Sequence, residues 1–320
     1  MSSVRVVLVV GTGRSGSTVL ANVLGEAQGL FSAGEVRFLW ERGLLENRLC
    51  GCGVRLQSCR LWRDVLALAF GDREMDARRL VDLQKAETRL RRLPQSLAVR
   101  GRPPGGETAE LVSALGRVYA AMASVTNARV IVDSSKLPAY GFLLERVPGI
   151  DLRLLHLVRD PRAAAFSWSR RKVQPDRGSF GYMEQLSPAK SAALWSVWNA
   201  AAEARWGRDP ERYRRVRYED FVAHPMATVA GILEWLGEPG AGSAFTDSNV
   251  VELGENHSVA GNPNRLHRGQ VRLRLDSEWL SHMPTRDRLA VTAGSWPLLL
   301  RYGYTLAAVT PAAAPPALSL

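Results

Sequence analysis

The chain has 320 residues, of which 46% are hydrophobic, and a formal net charge of +11. This length and composition exclude global disorder and allow one large domain or two small ones. The basic balance favours anionic partners, but the sequence has no run of five basic residues and no nucleic-acid motif, so we expect a basic enzyme with no nucleic-acid partner.

No signal peptide is visible in the N-terminal region. Residues 6–10 form an apolar stretch that is too short for a membrane span and leads directly into a glycine-rich loop. We therefore expect a cytoplasmic protein with no integral membrane segment.

The first predicted unit is a strand, a glycine loop and a helix. Residues 4–10 are almost all apolar and β-branched, which is typical of a strand buried on both faces of a parallel sheet. After the loop, apolar residues recur at helical spacing from Leu20 to Ala27, and Gly29 ends the pattern.

Three further strands are predicted along the chain, at residues 128–135, 151–160 and 213–220. Pro161 can begin a helix that reaches Trp168, and another helix with buried apolar positions ends at Gly237. Strands that alternate with helices indicate an α/β fold with a central parallel sheet flanked by helices and a P-loop-like nucleotide site.

The remaining segments predict how the domain is arranged. We expect one domain over residues 1–306, with helical and loop insertions at about residues 37–127 and 170–195 and a disordered tail at 307–320. Within the insertions, residues 72–93 resemble an amphipathic basic helix, 100–108 a loop, and 173–188 a polar lid.

The loop GTGRSGST, residues 11–18, has the glycine spacing of a Walker A motif, but Ser17 replaces its lysine. A loop between a buried strand and a helix directs backbone N–H groups at an anion, and the helix dipole adds to this. The glycines allow close approach, and Arg14 offers a planar charged fork to non-bridging oxygens. We therefore predict that the loop binds phosphate through Gly13, Arg14, Ser15, Gly16, Ser17 and Thr18.

Asp133 keeps a second interpretation of this loop open. It lies at the end of a predicted strand, where a kinase that uses ATP and Mg²⁺ places an acidic metal ligand. A P-loop kinase must, however, explain the missing lysine. A third possibility is a protein that binds an anion or nucleic acid without chemistry, which the net charge supports weakly.

Three motifs resemble sulfotransferases that use 3′-phosphoadenosine 5′-phosphosulfate (PAPS). The loop GTGRSGST is similar to their 5′-phosphosulfate loop, and LVRDPRAAAFSW resembles their 3′-phosphate motif, with Arg159 and Ser167 in its two binding positions. RYEDFVAHP resembles the segment whose tyrosine contacts the adenine, here Tyr218. Together the motifs span residues 5 to about 240 in the family's order. The resemblance implies PAPS as the co-substrate.

A looser similarity covers residues 256–279, which are rich in Arg, Asn and Gly. This stretch resembles the late loop that closes over the 3′-phosphate in the same family. The resemblance makes Asn262, Arg265 and Arg268 candidate cofactor-binding residues. Two separated anion sites suit a ligand with phosphate at both ends, which PAPS has and ATP lacks.

The resemblance also implies which residues are catalytic. Sulfuryl transfer needs positioning, charge stabilisation and a base for the acceptor proton, but no metal is required. Cytosolic members use a histidine in K-T-H-L-P, where this sequence has Lys136 in SSKLP. GEVRFLW is nearer the GE…R segment of tyrosylprotein and carbohydrate sulfotransferases, whose glutamate is the base. We predict Glu35 as base, with Lys136 and Arg14 stabilising charge.

The acceptor is not specified by any motif. A hydroxyl or amine on a small molecule, carbohydrate, lipid or peptide is compatible with the sequence. His156 lies among leucines in a predicted strand, so we expect a hydrogen-bonded core histidine rather than a catalytic one.

Cys50, Cys52 and Cys59 lie within ten residues. Three cysteines could be three ligands of a zinc site, but no fourth ligand occurs at the expected spacing and all five histidines are distant in sequence. We expect structural or incidental thiols and no metal ligand in the chain.

Overall fold

The computed structural model describes residues 3–98, 105–177, 181–242 and 244–307. The predicted tail beyond residue 307, residues 100–104 of the predicted loop and 178–180 of the predicted lid lie outside these ranges. In the described part of the chain, no helix is long and apolar enough to cross a membrane.

The centre of the molecule is a five-stranded parallel sheet, which confirms the α/β prediction. Its order is β2–β3–β1–β4–β5, and every neighbouring pair is parallel. The strands are β1 (Val4–Gly11), β2 (Leu30–Gly34), β3 (Val130–Lys136), β4 (Ile150–Val158) and β5 (Tyr213–Arg217). A smaller antiparallel sheet contains β6 (Phe245–Asp247), β7 (Val250–Leu253) and β8 (Gly269–Arg272).

Helices cover both faces of the central sheet because alternate residues of β1 point to opposite sides. Val7 and Val9 join the core beneath the helices at residues 17–25 and 225–235, whereas Val6, Leu8 and Val10 join the core beneath the helices at 107–126, 138–144 and 188–206. The helices are α1 (Ser17–Gly25), α2 (Arg60–Phe70), α3 (Ala77–Glu87), α4 (Leu93–Ala98), α5 (Glu107–Thr126), α6 (Pro138–Leu144), α7 (Pro161–Ser169), α8 (Pro188–Trp206), α9 (Tyr218–Ala223), α10 (Pro225–Trp235), α11 (Trp279–His282) and α12 (Thr285–Arg301).

Four predicted strands are present, and the structure adds elements that the sequence patterns did not indicate. The edge strand β2 and the small β6–β8 sheet are too short and too mixed in polarity to stand out. The predicted helix over 72–93 is shorter, because Asp76 caps α3 at its start and the helix ends before Thr88. The predicted strand over 213–220 ends at Arg217, where α9 begins.

Between β2 and β3 the chain inserts α2 to α5, within the predicted insertion at 37–127. All five central strands run in the same direction, so their carboxyl ends meet at one edge of the sheet. That edge is where the predicted site residues follow their strands.

Candidate active site

Each strand of the central sheet is followed by a predicted site residue or loop. The glycine loop follows β1, Glu35 follows β2, Lys136 ends β3, Arg159 follows β4 and Tyr218 follows β5. They line one cleft of about 910 Å³. The predicted residues that line it are Gly13, Arg14, Gly16, Ser17, Thr18, Glu35, Lys136, Arg159, Ser167, Tyr218 and Asn262.

The glycine loop presents the amino end of α1 to this cleft. Gly16 is the N-cap of α1 in a left-handed conformation (φ 84°), and no side chain caps the first turn. The first N–H groups of the helix are therefore available to an anion. A Cβ on Gly16 would lie 2.4 Å from the Tyr218 ring, so this position requires glycine. Ser15 is buried behind the loop, 3.1 Å from the Thr12 hydroxyl.

Arg14 has hydrogen-bonding capacity that the protein does not use. Its backbone is left-handed (φ 68°), and its guanidinium lies 4.7 Å from the centre of the Trp168 ring. Its Nη1 donates to the Met183 sulfur, but its buried Nε and Nη2 have no hydrogen-bond partner within the described residues. Burial lowers the pKa of Arg14. Orphaned guanidinium donors that line a cleft suit an anionic ligand.

Glu35 and Lys136 form a buried ion pair in the cleft. Lys136 Nζ lies 2.6 Å from Glu35 Oε1, and it also donates to the Ser134 carbonyl at 2.9 Å. Burial alone would raise the pKa of Glu35, but the positive charges of Lys136 and Arg37 outweigh it and lower the pKa. Burial lowers the pKa of Lys136, against the opposing effect of Glu35. Glu35 is thus ionised at neutral pH and neutralised by Lys136.

The backbone of Lys136 is held in an unusual conformation. Its φ is 67°, which few residues other than glycine adopt. Strained conformations of this kind persist where the surrounding structure enforces them, and they concentrate at functional sites.

Asp133, the residue that kept a kinase interpretation open, does not line the cleft. It is fully buried and accepts hydrogen bonds from the Tyr119 hydroxyl at 2.5 Å, the Ser135 hydroxyl at 2.5 Å and two backbone N–H groups. Burial raises its pKa to about 6. Its oxygens organise the backbone behind Glu35 and Lys136, so they are not directed at a nucleotide.

Arg159 reaches the cleft but has partners there. It donates to the Arg14 carbonyl at 2.9 Å, pairs with Asp276 at 3.2 Å, and lies 4.7 Å from the centre of the Tyr218 ring. Arg170 approaches the same Asp276 carboxylate at 3.5 Å. Asp276 therefore supplies negative charge between two arginines where the sequence motif predicts a phosphate.

The late loop contributes only one of its three candidates to the cleft. The backbone N–H of Asn262 donates to Thr18 Oγ1 at 3.3 Å. Arg265 is 1% exposed and binds Asp176 and the Leu49 carbonyl instead. Arg268 donates to the Cys52 carbonyl. The phosphate-binding role of Arg265 and Arg268 stays a prediction that their positions do not favour.

Several residues that line the cleft were not among the predicted site residues. Trp168 covers Gly13, whose Cβ would lie 2.4 Å from the ring, and Lys172 hydrogen-bonds to the side chain of Asn262. The sequence signal that could have indicated Lys172 was the cluster of basic residues directly after α7.

His156 is a core residue as predicted, because its two ring nitrogens contact Tyr213 and Asn199 at 2.6 and 2.7 Å.

Comparisons with known proteins agree with this fold. Residues 7–241 match the model of the sulfotransferase family. The fold is similar to the sulfotransferase domain from the curacin biosynthetic pathway, at 19% identity and a TM-score of 0.54, covering 96% of this chain and 99% of that one. It is equally similar to the sulfotransferase domain from the Synechococcus PCC 7002 olefin synthase, at 19% identity and a TM-score of 0.54, covering 96% and 97%.

No curated protein sequence matches the chain. The family model spans most of the chain and includes the glycine loop, Glu35, Lys136, Arg159 and Tyr218. The chain is therefore a member of the sulfotransferase family.

Proposed function

We propose that the protein transfers the sulfuryl group of PAPS to a hydroxyl or amine acceptor. One observation carries this proposal: the glycine loop, Arg159 and the Glu35–Lys136 pair all line the same cleft, at the carboxyl ends of parallel strands. The loop and Arg159 suit a donor with two anionic ends, and the pair suits the removal of an acceptor proton.

The glycine loop would hold the 5′-phosphosulfate end. The amino end of α1 and the hydroxyls of Ser17 and Thr18 line the cleft, and they can donate to phosphate oxygens without a lysine. The unpartnered Nε and Nη2 of Arg14 would donate to the same group. This arrangement would compensate for the missing Walker lysine, because Arg14 and Lys136 would supply the positive charge instead.

Arg159 and Ser167 would hold the 3′-phosphate. Since Asp276 already pairs with Arg159, a phosphate must displace that carboxylate or share the arginine with it. We infer that Asp276 competes with the nucleotide for Arg159. Tyr218, which packs beneath the arginine and over Gly16, would contact the adenine.

Glu35 would accept the acceptor's proton as the acceptor oxygen or nitrogen bonds to sulfur and the sulfur–oxygen bond to the nucleotide phosphate breaks. While Lys136 binds Glu35 at 2.6 Å, the carboxylate is a weak base. Lys136 would turn from Glu35 to the donor's oxygens when the donor binds, which stabilises the leaving phosphate and raises the basicity of Glu35. The base would thus be activated only when the donor is present.

The proposal is tested by calorimetric titration with 3′-phosphoadenosine 5′-phosphate, the desulfated product, beside 5′-AMP and ATP with Mg²⁺. We expect the bisphosphate to bind at least about 100-fold more tightly than AMP, a gap of about 2.7 kcal/mol. A preference for ATP with Mg²⁺ would overturn the choice of donor.

Turnover is tested separately, by following transfer of ³⁵S from labelled PAPS to a panel of hydroxyl and amine acceptors. Binding of the bisphosphate without transfer to any of them, and with steep salt dependence, would favour a protein that binds anions without chemistry.

A further inference from the structure

The three cysteines and one histidine converge on a single point outside the cleft. Cys50, Cys52 and Cys59 are free thiols, and His257 lies against them although it is 198 residues beyond Cys59. The three sulfurs and one ring nitrogen all lie within 4.8 Å of one another. The histidine is the fourth candidate ligand that spacing along the sequence did not reveal.

The distances between these atoms agree with the edges of a metal-centred tetrahedron. Bonds of about 2.3 Å from zinc to sulfur and 2.0–2.1 Å to nitrogen place two sulfurs about 3.8 Å apart and a sulfur and a nitrogen about 3.6 Å apart. The Cys52 and Cys59 sulfurs are 3.8 Å apart, and His257 Nδ1 lies 3.3 Å from the Cys59 sulfur and 3.8 Å from that of Cys50.

The backbone around the cysteines supports thiolate ligands. Cys59 is the N-cap residue of α2, whose dipole favours a negative charge there. A tight turn at Gly53, whose φ is 91°, reverses the direction of the chain after Cys50.

The histidine is oriented by contacts of its own. Trp62 Nε1 donates to the His257 carbonyl at 2.7 Å, and Glu255 lies 3.6 Å from Nε2, the ring nitrogen that faces away from the cysteines. The outer nitrogen of a metal-bound histidine usually donates to a carboxylate, a backbone carbonyl or water, and Glu255 is the carboxylate nearest to that nitrogen here.

We propose that Cys50, Cys52, Cys59 and His257 bind one structural Zn²⁺. Three sulfurs and one nitrogen in a tetrahedral arrangement select zinc over magnesium or calcium, which prefer oxygen ligands. All four positions are filled by protein atoms, so the site has no open position for a substrate or water, as is typical of structural zinc. The ligand atoms are too close together for an iron–sulfur cluster between them.

The zinc would join the cysteine loop to one wall of the cleft. Just beyond His257, the backbone N–H of Val259 donates to the Ala33 carbonyl, and the Ala260 carbonyl accepts from the N–H of Glu35. The segment then continues into Gly261 and Asn262, which line the cleft. A metal that fixes His257 therefore fixes the chain that packs against Glu35.

This zinc is distinct from a catalytic metal. The expectation that sulfuryl transfer requires no metal concerns the reaction, and it is compatible with a metal in the fold. The proposed zinc site does replace the expectation, from the sequence, that the chain contains no metal ligand. The inference does not depend on PAPS or on turnover.

The first test is the metal content of the full chain, purified without chelator or added metal. We expect one equivalent of zinc by mass spectrometry of the elements, released when the thiols are modified. Replacement by Co²⁺ should give the visible bands of a tetrahedral ion and the near-ultraviolet bands of thiolate ligation. Chelation should lower the melting temperature and speed amide hydrogen exchange in residues 255–262.

Variants then separate ligation from folding. His257→Ala and Cys52→Ser should lose the zinc, whereas His282→Ala, a substitution at an exposed histidine outside the cluster, should retain it. Glu255→Gln keeps all four ligands and should bind zinc about 10–100-fold more weakly. If the ligand variants do not fold, the wild-type cobalt spectrum and Glu255→Gln still decide the question.

The proposal is overturned if the purified chain contains no zinc and takes up none from added Zn²⁺. It is also overturned if the chain contains iron instead, or if intact mass shows a disulfide between Cys52 and Cys59, two mass units lighter than the thiols.

Discussion

The cleft and the cysteine–histidine cluster are assembled in different ways, and the difference explains what could be read from the sequence. The cleft collects residues that follow parallel strands, and the fold class alone brings such residues to one edge. The cluster joins a loop at residues 50–59 to a loop at 255–258, which no periodicity relates. A sequence motif therefore identified the cleft, whereas only the tertiary contacts completed the cluster.

Two arginines show the same contrast. Arg265 and Arg268 resemble phosphate ligands in the sequence, but their side chains donate to the carbonyls of Leu49 and Cys52, beside the cysteines. The late loop is thus divided between the two regions: Asn262 lines the cleft, and the arginines support the cluster. Variants that change one region without the other will test this division.

The largest effect is expected for Glu35→Gln. If Glu35 is the base, sulfuryl transfer should slow by about 100- to 10,000-fold, because general base catalysis is worth that much. Bisphosphate affinity and zinc content should be unchanged. Glu184→Gln, at an exposed carboxylate of the same cleft, is the control. Full activity of Glu35→Gln, measured with labelled PAPS, would exclude Glu35 as the base.

Lys136→Met should destabilise the protein by about 3–5 kcal/mol at neutral pH, since it leaves the buried Glu35 carboxylate without its closest partner. The lowered pKa of Glu35 means that the pair's stabilisation is present above the unfolded pKa of about 4.3 and is lost as pH falls through the folded pKa. Urea unfolding should therefore show a smaller cost of Lys136→Met in acid than at pH ~7.

A matched background isolates this ion pair from the proposed zinc site, whose ligands would also protonate in acid. A metal bound there would be lost equally from wild type and from Lys136→Met, so the difference between their unfolding free energies reports the ion pair alone. In a Glu35→Gln background, Lys136→Met should have a cost that does not vary with pH. An equal pH dependence in both backgrounds would contradict the assignment to Glu35.

Arg159→Ala should weaken bisphosphate binding by about 10- to 150-fold. A hydrogen bond to a charged group contributes about 1.5–3 kcal/mol, which corresponds to this loss of affinity. The affinity for 5′-AMP should change much less, because AMP lacks the 3′-phosphate. Arg171→Ala removes a charge elsewhere on the cleft lining and serves as the control. An equal loss for AMP and the bisphosphate would remove the 3′-phosphate assignment.

Asp276→Asn should have the smallest effect, with the opposite sign. Removing the carboxylate that pairs with Arg159 should tighten bisphosphate binding by about 1.5- to 5-fold. A partly exposed ion pair contributes about 0.2–1 kcal/mol, and the phosphate would no longer have to overcome it. Glu278→Gln, which affects Arg170 but not Arg159, is the control. Weaker binding by Asp276→Asn would show that the carboxylate orients Arg159 for the phosphate and does not compete with it.

The sequence by itself determined the fold class, four of the five central strands and the loop that begins α1. These features are local: an apolar run long enough to be buried, a glycine spacing and a helix start each depend on neighbouring residues. Parallel strands then place their following residues at one edge, which accounts for Lys136 and Arg159. Glu35 follows β2, a strand that the sequence patterns did not indicate, so its assignment depended on the resemblance of its GE…R segment.

Only the tertiary structure decided which charged groups are partners. The ion pair of Lys136 with Glu35, the ion pair of Arg159 with Asp276 and the contact of His257 with Cys59 all join residues that are far apart in the chain. Loop contacts of this kind depend on how packed elements position the intervening chain. Residue type and local spacing therefore do not specify them.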